Sequence, residues 1–311
     1  MDNIEYSVIN RQRSQHMQFT KMHGCGNDYV YIDGGIFKMN PEDKPEFVRF
    51  ASDRHFGIGS DGVIFINPSD KADFEMEMWN SDGTRAEMCG NGIRCVAKYV
   101  YDHALTDKTE LNIISAGRLL KLQLTVEAGK VSEVRVDMGE AILFPANVPV
   151  QIPGFNKDRV VSETIHVQRQ TQDMAFDITC VSMGNPHAVI FVDDEVMDID
   201  VEDIGPLIEN HGFFPNRVNV EFVKVHDRGH MDMRVWERGA GETFACGTGA
   251  CASVVAAALN GLCDENVEVK LLGGTLKIDW SGEGSHVYMT GPATTVFEGE
   301  IEYLGGSGRV Y

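Results

Sequence analysis

A chain of 311 residues is long enough for two domains with substantial cores, and its 43% apolar, 24% charged composition is that of an ordinary globular protein. A formal charge of −20 argues against nucleic acid or an anionic membrane as partner. No apolar run reaches membrane-spanning length, the opening MDNIEYSVINRQRSQHMQ has no apolar signal core, and seven Cys without a secretory signal point to a reducing, cytoplasmic compartment.

Residues 1–16 read as an extension, with the first domain opening near Met17. QFTKMHG (18–24) and YVYID (29–33) read as strands around the turn GCGND, and a helix is predicted from about Pro45 to Asp53. In GIGSDGVIFI, Gly57, Gly59 and Gly62 match a dinucleotide fingerprint in spacing only, because they precede a strand where that loop must open a helix. The strand FEMEMW (74–79) leads into a Gly-rich loop, Cys89 and a helix in WNSDGTRAEMCGNGIRCVAKYVYD (79–102). LNIISAGRLLKLQLTVEAGKVSEVRVDMG alternates as a strand meander, and Phe144–Asp158, with three of the ten Pro, marks a boundary. The plan then repeats: ITCVSMGNPHAVIFVDD, a helix near Val201–His211, NRVNVEFVKV and MDMRVWE. WERGAGETFACGTGACASVVAAAL (236–259) follows, its helix opening at Cys246 and small and apolar on nearly every face, hence buried. Strands close the chain.

A shift of 157 positions lays Cys246, Gly247, Gly249 and Trp236 on Cys89, Gly90, Gly92 and Trp79, in a chain with three Trp. A shift of 158 lays Asn185 on Asn27 and Asn219 on Asp61. Rare residues and element order agree, so the chain reads as a duplication. The fold class is α+β, two pseudo-symmetric halves with one buried helix each. Residues 17–140 carry Cys89, 141–292 carry Cys246, and strands in 293–311 return to the first half.

A thiol at a helix start faces unpaired N–H groups and the positive end of the macrodipole, which favours thiolate. Two such thiols on opposite faces of one cleft suit inversion of a stereocentre: one thiolate removes a proton from carbon and the other thiol donates one from the far side. The helix starts can also hold a substrate carboxylate and stabilise the carbanion. Cys25, Cys95, Cys180, Cys251 and Cys263 read as buried apolar residues, and Arg94 and Arg217 as structural salt-bridge residues. Spacings of Cys89 to Cys95 and Cys246 to Cys251 are not those of zinc knuckles, so no metal is expected.

MCGNGIRC with GAGETFACGTGACA, together with HGCGNDY and MGNPHAV, resembles diaminopimelate epimerase over nearly the whole chain from Met17. The resemblance implies two halves, each a mainly antiparallel strand wrap around a central helix, often dimeric. It implies interconversion of LL- and meso-2,6-diaminopimelate without a cofactor, toward lysine and cell-wall peptide. Cys89 and Cys246 would be the acid/base pair, with His187 and Glu237 setting their protonation. Asn27, Asn80, Asn185 and Asn219 would hold the substrate, Glu237 would also contact it, and Arg238 would take its distal carboxylate. The amides of Gly90, Asn91, Gly247 and Thr248 would grip the reacting carboxylate. The partners implied are a small amino-acid substrate and a second copy of the chain. Gly62 stands where some relatives have a substrate-contacting Gln, and Phe297 where some have a Tyr tied to dimer formation. Proline and hydroxyproline racemases are similar but typically carry His where this chain has Asn91, and phenazine-related isomerases lack the paired thiols. From other classes, a Cys89–Cys246 redox switch or a pure amino-acid binding protein would leave one or other set of matched residues unused.

Overall fold

The chain's structure, a computed structural model, describes residues 15–86 and 90–303. The predicted extension up to position 14 lies outside the described residues, and so does Cys89. The first half holds β1 (Gln15–Gly24), β2 (Asn27–Asp33), β3 (Gly62–Pro68), β4 (Phe74–Asn80), β5 (Glu110–Ser115), β6 (Arg118–Glu127) and β7 (Lys130–Glu140). Helix α1 (Lys44–Ser52) lies between β2 and β3, and α2 (Gly90–Asp102) between β4 and β5. The second half holds β8 (Glu163–Arg169), β9 (Gln172–Ser182), β10 (Pro186–Phe191), β11 (Asn219–Asp227), β12 (His230–Glu237) and the short β13 (Gly241–Glu242). β14 (Asn266–Leu271), β15 (Gly274–Asp279) and β16 (His286–Pro292) complete it, and β17 (Thr294–Tyr303) returns to pair with β1 of the first half. Helix α3 (Val201–Glu209) lies between β10 and β11, and α4 (Gly247–Leu259) between β13 and β14. The predicted helices match α1 and α3 to within two residues, α3 ending at Glu209 where His211 turns back onto Ile208. The Pro-rich stretch after β7 runs as loop and 3-10 turn (Pro145–Asn147) and touches the sheet at the bridge of Ile142 with Ser182.

The strands form one continuous mixed sheet whose order is a palindrome. From β7, paired with β16, one arm runs β6, β5, β4, β3, β2, β1, β17, and the other β15, β14, β12, β11, β10, β9, β8. Corresponding neighbours have the same sense in both arms. The parallel pairs β2–β3 and β4–β5 are echoed by β10–β11 and β12–β14, and one of the four helices makes each crossover. Every other pairing is antiparallel among the described residues, so the α+β reading stands with four helical crossovers built into it.

Burial follows from which faces are covered. β2, β3, β10 and β11 lie between an inner and an outer helix and carry unbroken buried runs. β6, β14 and β15 have water on one face and alternate. Helix α2 packs on β7, β1, β2 and β6, and α4 on β9, β10, β11, β15 and β16, so each arm curls around its own helix. One core encloses both helices; satellite cores lie under α1 and α3. Cys25, Cys95, Cys180, Cys251 and Cys263 are buried, as their apolar settings predict.

Gly205 lets α3 touch β12. A Cβ there would stand 2.5 Å from Cγ of Trp236, whose ring is pinned by its Nε1 donating to Glu209 Oε2 at 2.7 Å. Gly205→Ala is expected to destabilise the fold by about 1–3 kcal/mol, read from the urea midpoint. An unchanged midpoint would mean that the ring can yield.

Candidate active site

The two Gly-rich loops of the repeat end at one place. A Cβ on Gly247 would lie 3.8 Å from Gly90 Cα, and both glycines abut the Met289 side chain, so the starts of α2 and α4 meet. Asn91 fastens the junction by donating its Nδ2 to the Ala245 carbonyl at 3.1 Å. Cys246 does not open α4 but caps it. Its backbone is extended (φ −119°, ψ 110°), its carbonyl takes the Ala250 amide at 3.0 Å, and its Sγ accepts from Gly249 N at 3.4 Å. The first turn of each helix has amides without intrahelical partners at Gly90 and Asn91, and at Gly247 and Thr248.

A cleft of about 770 Å³ opens on this junction. From the first half it is lined by Asn27, Asn80, Gly90 and Asn91; from the second by Asn185, Glu237, Arg238, Cys246, Gly247 and Thr248. His187 and Asn219 are buried behind the wall. Asn219 fixes the wall itself: Nδ2 donates to the Pro186 carbonyl at 2.8 Å, and Oδ1 accepts the Arg238 amide at 2.9 Å. Asn27 Nδ2 donates to Asp61 Oδ2 (2.8 Å), Asn80 Nδ2 to Thr84 Oγ1 (3.1 Å) and Asn185 Nδ2 to Thr248 Oγ1 (3.2 Å). Arg238 donates to the Asn216 carbonyl at 3.2 Å, and among the described residues no carboxylate stands within salt-bridge distance of it.

Charge is uneven across the repeat. Glu237 accepts from Thr243 Oγ1 at 2.5 Å and from the Cys246 thiol, yet burial holds its carboxyl above the usual range. Cys246 is pushed well above an ordinary thiol by burial first, then by the charges of Glu237 and Glu221. That reverses the lowering expected from its helix-start position: desolvation and two carboxylates outweigh the dipole and the Gly249 amide. Behind Cys246, His187 Nδ1 lies 2.6 Å from Glu221 Oε1, both side chains fully buried, while Nε2 lies 3.1 Å from Asn185 Oδ1. These two contacts fix the ring's orientation. Glu221 was not singled out from the sequence. Its signal was a carboxylate inside the apolar run Val220–Val223 of a strand buried on both faces.

Strand register corrects one repeat assignment. Trp79 pairs with Val63 and Trp236 with Val220, so Asn219 corresponds to Gly62, not to Asp61. A Cβ at Gly62 would fall 2.0 Å from the Trp79 carbonyl oxygen and 2.9 Å from the Tyr29 ring, so a Gln there is excluded by packing. Arg217 pairs with Glu209 at 3.0 Å, as predicted. Arg94 does not follow its prediction: among the described residues it has no carboxylate partner, because its guanidinium is enclosed by carbonyl, amide and sulfur acceptors. Among the described residues no cluster of three His, Cys, Asp or Glu is placed to hold a metal ion. No described helix is long and apolar enough to cross a membrane.

A sequence model of the family described as diaminopimelate epimerase matches residues 19–144 and 179–296. The diaminopimelate epimerase of Agathobacter rectalis is 56% identical over 292 residues, covering 93% of this chain and 100% of that protein. That of Methanococcus maripaludis is 54% identical over 286 residues, covering 92% and 100%. Among solved structures, a hydroxyproline epimerase from Agrobacterium vitis superposes with a TM-score of 0.66 at 13% identity, covering 96% of this chain and 94% of that one. A phenazine biosynthesis protein of the PhzF family from Bacillus anthracis gives 0.65 at 16% identity, covering 92% and 99%. At such identities the likeness is one of fold.

Proposed function

The chain belongs to the diaminopimelate epimerase family, and we propose that it interconverts LL- and meso-2,6-diaminopimelate by two-thiol proton transfer at Cα, with no cofactor. The observation that carries the mechanism is the meeting of the two helix starts at one cleft, with a capping thiol on α4 and Cys89 immediately before α2 in sequence. In the proposed step the Cys89 thiolate takes the α-proton from one face. The electron pair passes into the carboxylate as an aci-carboxylate, and the Cys246 thiol returns its own proton from the other face. Cys89 ends as thiol and Cys246 as thiolate, the mirror of the starting state. The upward push on Cys246 supports its starting as the proton donor.

Carboxylate charge at the reacting end would be held by the amides of Gly90, Asn91, Gly247 and Thr248. Arg238 would take the distal carboxylate, with Asn27, Asn80, Asn185 and Glu237 on the remaining polar groups; Asn219 and His187 would act from behind the wall. The protein would work in the cytoplasm, supplying lysine and peptidoglycan precursors, and as a homodimer; the half-exposed Phe297 on the edge strand β17 is available for contact with a second copy.

The test is incubation of reduced protein with LL-diaminopimelate in heavy water, without added cofactor. The expected result is meso isomer carrying one solvent deuterium at the inverted Cα, with kcat/KM bell-shaped in pH and both apparent pKa values belonging to the coupled pair. Exchange with proline or hydroxyproline alone would keep the thiol pair and move the substrate. No exchange with any amino acid would sink the epimerase reading.

A further inference from the structure

Arg94 stands one turn into α2, and its side chain is the largest of the fully buried ones among the described residues. Its Nη1 donates to the Gly90 carbonyl at 3.1 Å, its Nη2 to Asn91 Oδ1 at 2.9 Å and its Nε to the Pro292 carbonyl at 3.2 Å. The sulfurs of Met289 and Cys25 close the shell at 3.7 and 3.8 Å. All these partners are neutral acceptors. A guanidinium stays charged in a protein, and burying a charge without a counter-charge is costly. This chain holds 47 Asp and Glu, so a partner was not in short supply.

The fold does not demand the charge either, since the repeat places Cys251 at the same position in α4. The surroundings instead make room for it. A Cβ on Gly24 would meet Nη2 at 2.9 Å, and one on Gly291 would meet Nε at 3.2 Å. The titratable groups packed around it are the thiols of Cys25, from the turn after β1, and Cys251, from α4. Burial raises both against the pull of Arg94. Tyr31 of β2 donates its hydroxyl to the Gly92 carbonyl nearby. Two tasks converge on this one side chain. It holds the oxygen of Asn91, whose nitrogen bonds Ala245, so it sets the register of the two helix starts. It also leaves a positive charge beneath the junction that no carboxylate among the described residues neutralises.

We propose that Arg94 is a positioning residue for the proton transfer, locking the paired helix starts through Asn91 and supporting, with its charge, the anionic carboxylate and thiolate that gather there. This rests on the two-thiol reading given above. The test pairs Arg94→Gln, which removes the charge and keeps an N–H donor, with Arg94→Lys, which keeps the charge and loses the fork. In Arg94→Gln, kcat/KM for epimerisation is expected to fall on the order of 100-fold at neutral pH. The lower limb of its pH profile should move to higher pH, because a thiolate without a nearby cation forms less readily. Arg94→Lys should keep the limb at its wild-type position with a loss of about tenfold from the Asn91 contact. A merely structural role lowers Tm and leaves the limb unmoved in both variants, and that result overturns the assignment. If Arg94→Gln does not fold, a displaced limb in Arg94→Lys overturns it instead. A wild-type protein that fails to epimerise sinks both readings, whereas an active wild type with unmoved variants sinks only this one.

Discussion

Cys246→Ala is expected to lose inversion at Cα, with kcat/KM for epimerisation down about 10³–10⁴-fold or more, while exchange of the α-proton with solvent survives for one of the two isomers. The reasoning is geometric. Each thiol serves one face of the substrate carbon. With Cys246 gone, the isomer whose Cα–H faces Cys89 still loses its proton to that thiolate, and the proton returned to the carbanion comes from the same side. In heavy water that isomer gains deuterium with its configuration kept, and the opposite isomer gains none. Nuclear magnetic resonance of Cα, started from each isomer separately, reads both outcomes in one experiment. The substitution is small and the site buried, so folding is tested alongside by Tm. Inversion that persists in Cys246→Ala would falsify the two-thiol scheme. Exchange lost equally for both isomers would make Cys246 a residue that shapes the cleft instead of one that carries the proton.

The duplication was legible because its markers are rare and sit at constrained places. Cys, Trp and paired Gly recur at the strand-to-helix junctions, where the backbone must approach its symmetry mate closely: Gly90 and Gly247 leave no room for a side chain without displacing Met289. The doubly buried strands were legible as continuous apolar runs such as YVYID and AVIFV. Three things were not. A register of one residue cannot be read from Gly-rich segments, so Asp61 was aligned with Asn219 where the ladder pairs Gly62. The protonation bias of Cys246 comes first from burial, then from nearby Glu237 and from Glu221 on another strand, and neither the burial nor Glu221 is local in sequence. Arg94 looked like an ordinary ion-pair residue because sequence shows a charge but not what encloses it. In each case the missing information is long-range: a strand neighbour, a desolvated wall, a shell of neutral acceptors.

That same long-range electrostatics governs the second large effect, Glu237→Gln. The variant should lose about 10²–10³-fold in kcat/KM, since the carboxylate beside the Cys246 thiol helps set its protonation and orientation and an amide cannot exchange a proton with it. Stability should move the other way. Burial raises the Glu237 carboxyl above its unfolded value, so the folded state binds a proton over a pH range where the unfolded chain has released it. Such a group favours folding fully below its unfolded pKa, and that contribution is lost as pH rises through the folded pKa; above it the buried anion is a burden. Gln removes the burden and keeps the shape, and its amide can still accept from Thr243. Glu237→Gln is therefore expected to raise Tm relative to wild type, by a gap that opens as pH rises from the ordinary carboxylate range and then levels off. Thermal melts across pH 4 to 8 on both proteins read the gap directly, about 2 °C or less per kcal/mol for a chain of this size. A variant that is both inactive and less stable at every pH would show that Glu237 is held by its hydrogen bonds more strongly than burial opposes it. A variant more stable yet inactive would place Glu237 among residues kept for chemistry at the expense of the fold. The fully buried, half-satisfied Glu221, whose Oε2 has no partner among the described residues, would then be the next place to look for the same trade.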